Sequence, residues 1–285
     1  MMFFRDMADN PFLVTGLLAG ALASVATGVI GPFVITRRIV FLSGAIAHMA
    51  LGGIGGAIFL RHFYPGVFGW MSPLEGAVVV ALGSAVLLGV VHDRVAERMD
   101  TLIGAMWAVG MAVGLMLIKF TPGYHTELMS YLFGNIVYVS WSDVWLLAGL
   151  DAVILGVTAV YYKQLVGVCV DAQQAELRGV NVMRVQIVLL CLVALTVITL
   201  IQVVGLILVL ALLTLPAATA AHRLSRLATI IPVSVLIGLV VTTTPRVLVY
   251  EIEVMGSSIS PEPAIVLAAA GLYLVSVASR RLAGR

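Results

Sequence analysis

Among the ionisable side chains of a largely apolar chain, four stand out as candidate metal ligands: His48, His125, Glu127 and Asp151. Neutral imidazole is among the commonest ligands of divalent transition metals, and carboxylate oxygen accepts the same ions. His48 stands about 12 Å, at 1.5 Å per residue, into an apolar run that begins near Val40, close to the midplane of a ~30 Å hydrocarbon core. Asp151 reaches about the same depth in another run, counted from Asp143 at its opposite edge. An ionisable group so deep is expensive and marks either an ion path or a structural hydrogen bond. Both readings stay open for both residues. His125 and Glu127 fall in the segment 120–142, whose Tyr124, Tyr131, Phe133, Tyr138 and Trp141 suit a helix lying in the interface. They are candidates for an ion entry point, with a solvated loop as the alternative. His62, His92 and His222 sit at the ends of apolar runs beside charged residues and read as interfacial.

The elements that must position these residues follow from composition. Of 285 residues, 61% are hydrophobic and 11% charged, against roughly 25% charged in a soluble domain. That excludes a water-soluble enzyme. The apolar runs are continuous and about twice the length of a barrel strand, which excludes a membrane β-barrel. The fold class is all-α, a polytopic transmembrane bundle forming one domain over 1–285. Candidate spans are 12–35, 40–60, 74–92, 101–119, 143–162, 184–202, 204–221, 228–249 and 263–279. The sixth and seventh are separated only by Gln202 and Gly205, so eight or nine spans are expected. The N-terminal stretch shows no cleavage site at a short distance, so the first span is expected to stay.

Placing Arg37, Arg38, Arg94, Arg98, Lys163, Arg178, Arg184, Arg223, Arg226 and the C-terminal arginines on one side collects twelve of the sixteen basic residues. That bias puts the C-terminus in the cytoplasm, and with nine spans the N-terminus outside. Eight of the fourteen acids, from Asp6 to Glu262, fall on the outer side, making an anionic face suited to cations and to a basic docking partner. The net charge of +2 gives no nucleic-acid footprint. Cys169 and Cys191 lack metal-ligand spacing and read as buried inert thiols.

Gly16/Gly20, Gly52/Gly56 and Gly110/Gly114 are spaced for close helix packing. Gly44, His48, Gly52 and Gly56 share one helix face, so His48 points into a packed stripe. On the cytoplasmic side, Asp171 is a good N-cap with Gln174 at the capping-box position, and Gly179 can close a short helix near 171–180. Glu176 and Arg178 complete its polar surface. Such a helix can pass motion from a separate ATPase or serve as a plain connector. No Walker, zinc-protease or nucleophile-elbow motif is present, so transport outranks catalysis.

Four stretches, in order, resemble the permease subunits of bacterial and archaeal ABC importers for zinc, manganese and iron: Gly31 to Arg38 leading into Phe41 to His48, Asp100 to Gly104, Glu127 to Gly134, and Val204 to Ala220. The segment ending Leu177-Arg-Gly-Val-Asn181 is similar to that family's coupling helix. In the family the second span carries an Asp and a His one turn apart on the ion path; here His48 is kept and the Asp position is Gly44. The D-x-P-x-G before the last span is altered to Ser258-Ile-Ser-Pro261-Glu262-Pro263. Asp151, or a residue of a second protomer, is then expected to supply the oxygen ligand.

The resemblance implies a multi-pass cell-membrane protein that is a homodimeric permease and not an enzyme. It would pass a divalent transition metal, zinc foremost and manganese or iron next, inward from an extracytoplasmic metal-binding protein. Cytoplasmic ABC ATPase subunits would grip Asp171, Gln174, Glu176 and Arg178. The metal is cargo, and no cofactor is expected on this chain. A self-sufficient carrier or channel is the alternative, and it would show inverted repeats with paired broken helices, which the sequence lacks.

Overall fold

The computed structural model describes residues 2–7, 10–92, 99–122, 134, 139–206, 209–254 and 261–283. Among the described residues all regular structure is helical. The elements are α1 (Met2–Asp6), α2 (Pro11–Arg37), α3 (Val40–Phe63), α4 (Pro65–Phe68), α5 (Pro73–His92), α6 (Met99–Phe120), α7 (Trp141–Val170), α8 (Ala172–Leu177), α9 (Val182–Val204), α10 (Val209–Ala221), α11 (Leu227–Val254) and α12 (Pro261–Ala283).

Local chemistry sets the ends. Asn10 caps α2 by accepting from the backbone N–H of Phe12, with Pro11 at the first helical position. Arg38 takes a left-handed φ of 58°, which turns the chain directly into α3. Ser140 and Asp143 form a reciprocal capping box at the start of α7.

Eight of these helices are long and apolar enough to cross a membrane. The seventh candidate span is the exception, because α10 has only 13 residues and is preceded by Gly205 at φ 81°. It still completes a traverse. Thr15 at the start of α2 bonds the Val139 carbonyl just before α7, and Arg246 near the end of α11 bonds the Phe12 carbonyl, so these three ends share one face. Arg37 at the other end of α2 reaches Val168 on α7 and Gln186 at the start of α9, which defines the opposite face. Just beyond α10, His222 and Arg223 bond Ser276 and Ser279 in the last turns of α12. Because α12 starts beside the α11 end, α10 ends on the Arg37 face. Among the described residues, nine helices therefore run between the two faces, eight long ones and one of 13 residues, about 20 Å of rise. The fifth span also runs longer than 143–162, with α7 reaching Val170.

The core is built around α2, α3 and α9, whose apolar windows are 67% to 72% buried, whereas those of α6, α7 and α11 are 28% buried. Helix α2 packs on α7, α9, α10 and α11, while α3 packs on α5, α6, α9 and α10. Glycine permits the closest approaches: a Cβ at Gly52 would stand 3.2 Å from the Gly110 carbonyl oxygen, and Gly55 lies against Gly114. Between α2 and α11 the Ser24 and Thr242 hydroxyls meet at 3.0 Å, one of the buried interhelical hydrogen bonds.

Candidate functional site

His48 is carried by the α3–α6 seam that the glycines bring together. A Cβ on Gly110 would lie 2.7 Å from the His48 carbonyl oxygen, so only glycine lets α6 approach that turn. The imidazole stacks at a tilt on Trp107 of α6, with ring centroids 5.1 Å apart and planes 37° apart. One turn before His48, a Cβ on Gly44 would stand 2.5 Å from Cζ2 of the same indole and 3.3 Å from Leu210 Cδ1 of α10. Indole and leucine thus fill the volume where a longer side chain at 44 would project.

The polar atoms of this contact are the chemically informative ones. His48 Nδ1 and Trp107 Nε1 are both buried, and neither has a hydrogen-bond partner among the described residues. Buried polar groups are normally paired. An imidazole nitrogen can accept a proton or a metal ion, whereas an indole N–H only donates. Trp107 therefore cannot ligate a cation, but it can hold water of a hydrated one beside His48. Nothing in the spacing of the sequence singled out Trp107; it lies in an apolar run like many other aromatic residues.

Asp151 is 3% exposed on α7, and both carboxylate oxygens lack a partner among the described residues. It continues a stripe of Leu147, Ile154 and Thr158, which is the buried edge of a helix that is otherwise mostly exposed. The unpartnered Thr158 hydroxyl lies on the same stripe. Helix α7 packs against α2 and α9, and α3 is not among its packed neighbours; α9 touches both carriers. The structure thus leaves Asp151 and His48 on separate walls, on helices that do not pack on each other. Among the described residues no three His, Cys, Asp or Glu side chains gather as a metal cluster. His125, Glu127 and the side chain of His92 lie outside the described residues.

At the opposite end of α7, Asp171 accepts from the backbone N–H of Gln174 and starts α8. The Val180 N–H bonds the Ala175 carbonyl, with Gly179 at φ 82° closing the turn. Ala175 faces inward while Gln174, Glu176 and Arg178 are exposed, and so is Leu177, at 88%. A leucine so bare on a polar surface helix was not anticipated from sequence. Behind α8, Arg37 ties three elements together: its guanidinium donates to the Val168 carbonyl at 3.1 Å and to Gln186 Oε1 at 3.1 Å. Those partners flank α8 in the chain, so α8 is anchored on both sides to the end of α2.

A family model described as the ABC 3 transport family matches residues 9–280. An uncharacterised membrane protein of Synechocystis sp. is 41% identical over 171 residues, 60% of this chain and 58% of its own length. A manganese transport system membrane protein of Listeria monocytogenes is 30% identical over 182 residues, 64% of this chain and 61% of its own length. The chain thus spans less than two thirds of the length of these relatives. Among solved structures, PsaBC from Streptococcus pneumoniae, in complex with a Fab, superposes with a TM-score of 0.83 at 28% identity, covering 96% of this chain and 94% of that one.

Proposed function

Because the chain belongs to the ABC 3 transport family, we propose that it is the permease subunit of an ATP-driven importer that passes a divalent transition-metal ion into the cytoplasm. The observation that carries this reading is the likeness to PsaBC over 96% of the chain. Zinc is the first candidate on imidazole chemistry, and the manganese named for the Listeria relative makes that ion the next. The neutral His48 imidazole takes the ion in passing, and the Trp107 N–H holds water of its hydration shell. Asp151 is a second station on the path, reached after or before His48, with further oxygen ligands from water or the second protomer. His125 and Glu127 are assigned to the outer entry point from sequence. The ion is cargo and must leave as readily as it binds, so no resident cofactor is invoked.

The Arg37 face is cytoplasmic on the positive-inside rule, and the acidic opposite face receives an extracytoplasmic metal-binding protein. Two copies of the chain and two ATPase subunits complete the transporter. The ATPase grips α8 through Gln174, Glu176, Leu177 and Arg178, with Asp171 fixing the start of the helix. Movement of α8 reaches α2 through Arg37.

The test is co-expression with a neighbouring ATPase reading frame, reconstitution, and measurement of ATP hydrolysis and uptake with Zn²⁺, Mn²⁺ and Fe²⁺. ATP-dependent uptake of one of these ions is expected. Uptake that needs no ATPase would replace this reading with a self-sufficient carrier.

A further inference from the structure

A groove runs along the outside of the bundle where α10, α11 and α12 meet. Its first stretch, about 450 Å³, has apolar walls that include Val233, Ile237 and Val275, with Arg223 and Ser279 at one end. A second stretch, about 510 Å³, follows between α11 and α12 and is lined by Val240, Leu248, Ile252, Ala264 and Ala268. Leu272 lines both. Lining positions 233, 237, 240, 244, 248 and 252 recur every three or four residues along α11, and 264, 268, 272, 275 and 279 do so along α12. The two stretches are therefore one continuous seam along one face of each helix.

Among the lining residues the one charged side chain, Arg223, lies at one end. There Arg223 is exposed, and its guanidinium is steered by a hydrogen bond to the Ser279 hydroxyl at 2.9 Å. Exposed Arg226 follows Arg223 closely in the chain, and exposed Arg280 follows Ser279 directly. Beyond this cationic mouth, α11 and α12 present bulky aliphatic side chains over most of their length, with only 28% and 22% of their windows buried. A fixed cationic head site opening into a long apolar track is complementary to a molecule with an anionic head and an extended hydrocarbon tail.

We propose that this seam is a binding site for an anionic glycerophospholipid of the leaflet on the Arg37 face, with the phosphate on Arg223 and Ser279 and one acyl chain along Leu272. The site is independent of the transported ion. It rests on the groove and its charge, and would stand whichever metal passes.

The test uses the full chain, purified in mild detergent after reconstitution in vesicles of phosphatidylglycerol and phosphatidylcholine, with retained lipid counted by native mass spectrometry. Wild type should retain phosphatidylglycerol in preference to phosphatidylcholine. Arg223→Ala should reduce the retained phosphatidylglycerol about fivefold, the worth of one interfacial cation. Leu272→Trp should expel the lipid by filling the track while Arg223 stays in place. Size-exclusion profiles matching wild type establish that both variants fold; should Arg223→Ala fail, Arg223→Gln gives the same reading, and should Leu272→Trp fail, Leu272→Phe does. Equal retention of the two lipids by wild type, or unchanged phosphatidylglycerol retention in Arg223→Ala, would overturn the proposal. So would disulfide cross-linking of Leu272→Cys between two copies, which would make the seam a protomer interface.

Discussion

Gly44 and Trp107 are complementary across the α3–α6 seam: a Cβ on residue 44 would stand 2.5 Å from Cζ2 of the indole. The missing acid one turn before His48 is therefore not an empty position. Its space is taken by an aromatic ring that also stacks on the histidine. Restoring an acid by Gly44→Asp alone should then fail to help. The carboxylate would have to displace the indole, with an overpacking cost of about 1–3 kcal/mol. A lower melting temperature and lower uptake than wild type are expected. Trp107→Ala removes the clash, so Gly44→Asp should lower the melting temperature less in a Trp107→Ala background than in wild type. A well-folded, fully active Gly44→Asp single variant would show that the ring swings away freely.

The arrangement of helices was largely legible in the sequence, because membrane spans announce themselves by long apolar runs and by charge at their ends. The weak point was the pair separated by Gln202 and Gly205. A 13-residue helix preceded by a positive-φ glycine is indistinguishable by hydropathy from a full span. The site was legible only in part. His48 stood out because an imidazole at mid-depth is costly, and Asp151 stood out for the same reason. Trp107 did not, since its role depends on which face of α6 meets α3, a matter of packing across helices that no local pattern encodes. Arg37 and Leu177 were hidden for related reasons. One was absorbed into a charge count, and the other gains meaning only from its exposure.

Half-buried His48 and buried Asp151 lie on separate walls, and each has a buried polar atom without a partner among the described residues. The proposed path makes each a station and requires both. His48→Ala and Asp151→Asn should each lower metal uptake by about tenfold or more, and the double variant should lose little beyond the worse single one, because the path is already blocked. Radiometal uptake into vesicles reads this out. Normal transport by Asp151→Asn beside failure of His48→Ala would reduce Asp151 to a structural group.

Arg37 makes its two hydrogen bonds to Val168 and Gln186, on either side of α8. Removing the guanidinium in Arg37→Ala leaves a buried amide and a carbonyl without their donor, at a cost of roughly 1–3 kcal/mol. The expected phenotype is a protein that inserts and still supports ATP hydrolysis by its partner but transports poorly. Coupled uptake at the wild-type ratio of ions to ATP would remove Arg37 from the transmission path.

Nine traverses place Asn10 and Arg280 on opposite faces of the bundle, although among the described residues eight helices are long enough to span alone. The side chains of both residues are exposed, so single cysteines there report orientation directly. Both native cysteines are free, Cys169 buried and Cys191 half-buried, and would first be replaced by serine. In intact cells a membrane-impermeant maleimide should label Asn10→Cys and spare Arg280→Cys, and permeabilisation should expose the latter. Labelling of both residues from outside would mean that the chain between Val204 and Ala221 does not return across the membrane. In that case the contact of Arg246 with the Phe12 carbonyl could not form as described, because the end of α11 and the start of α2 would lie on different sides.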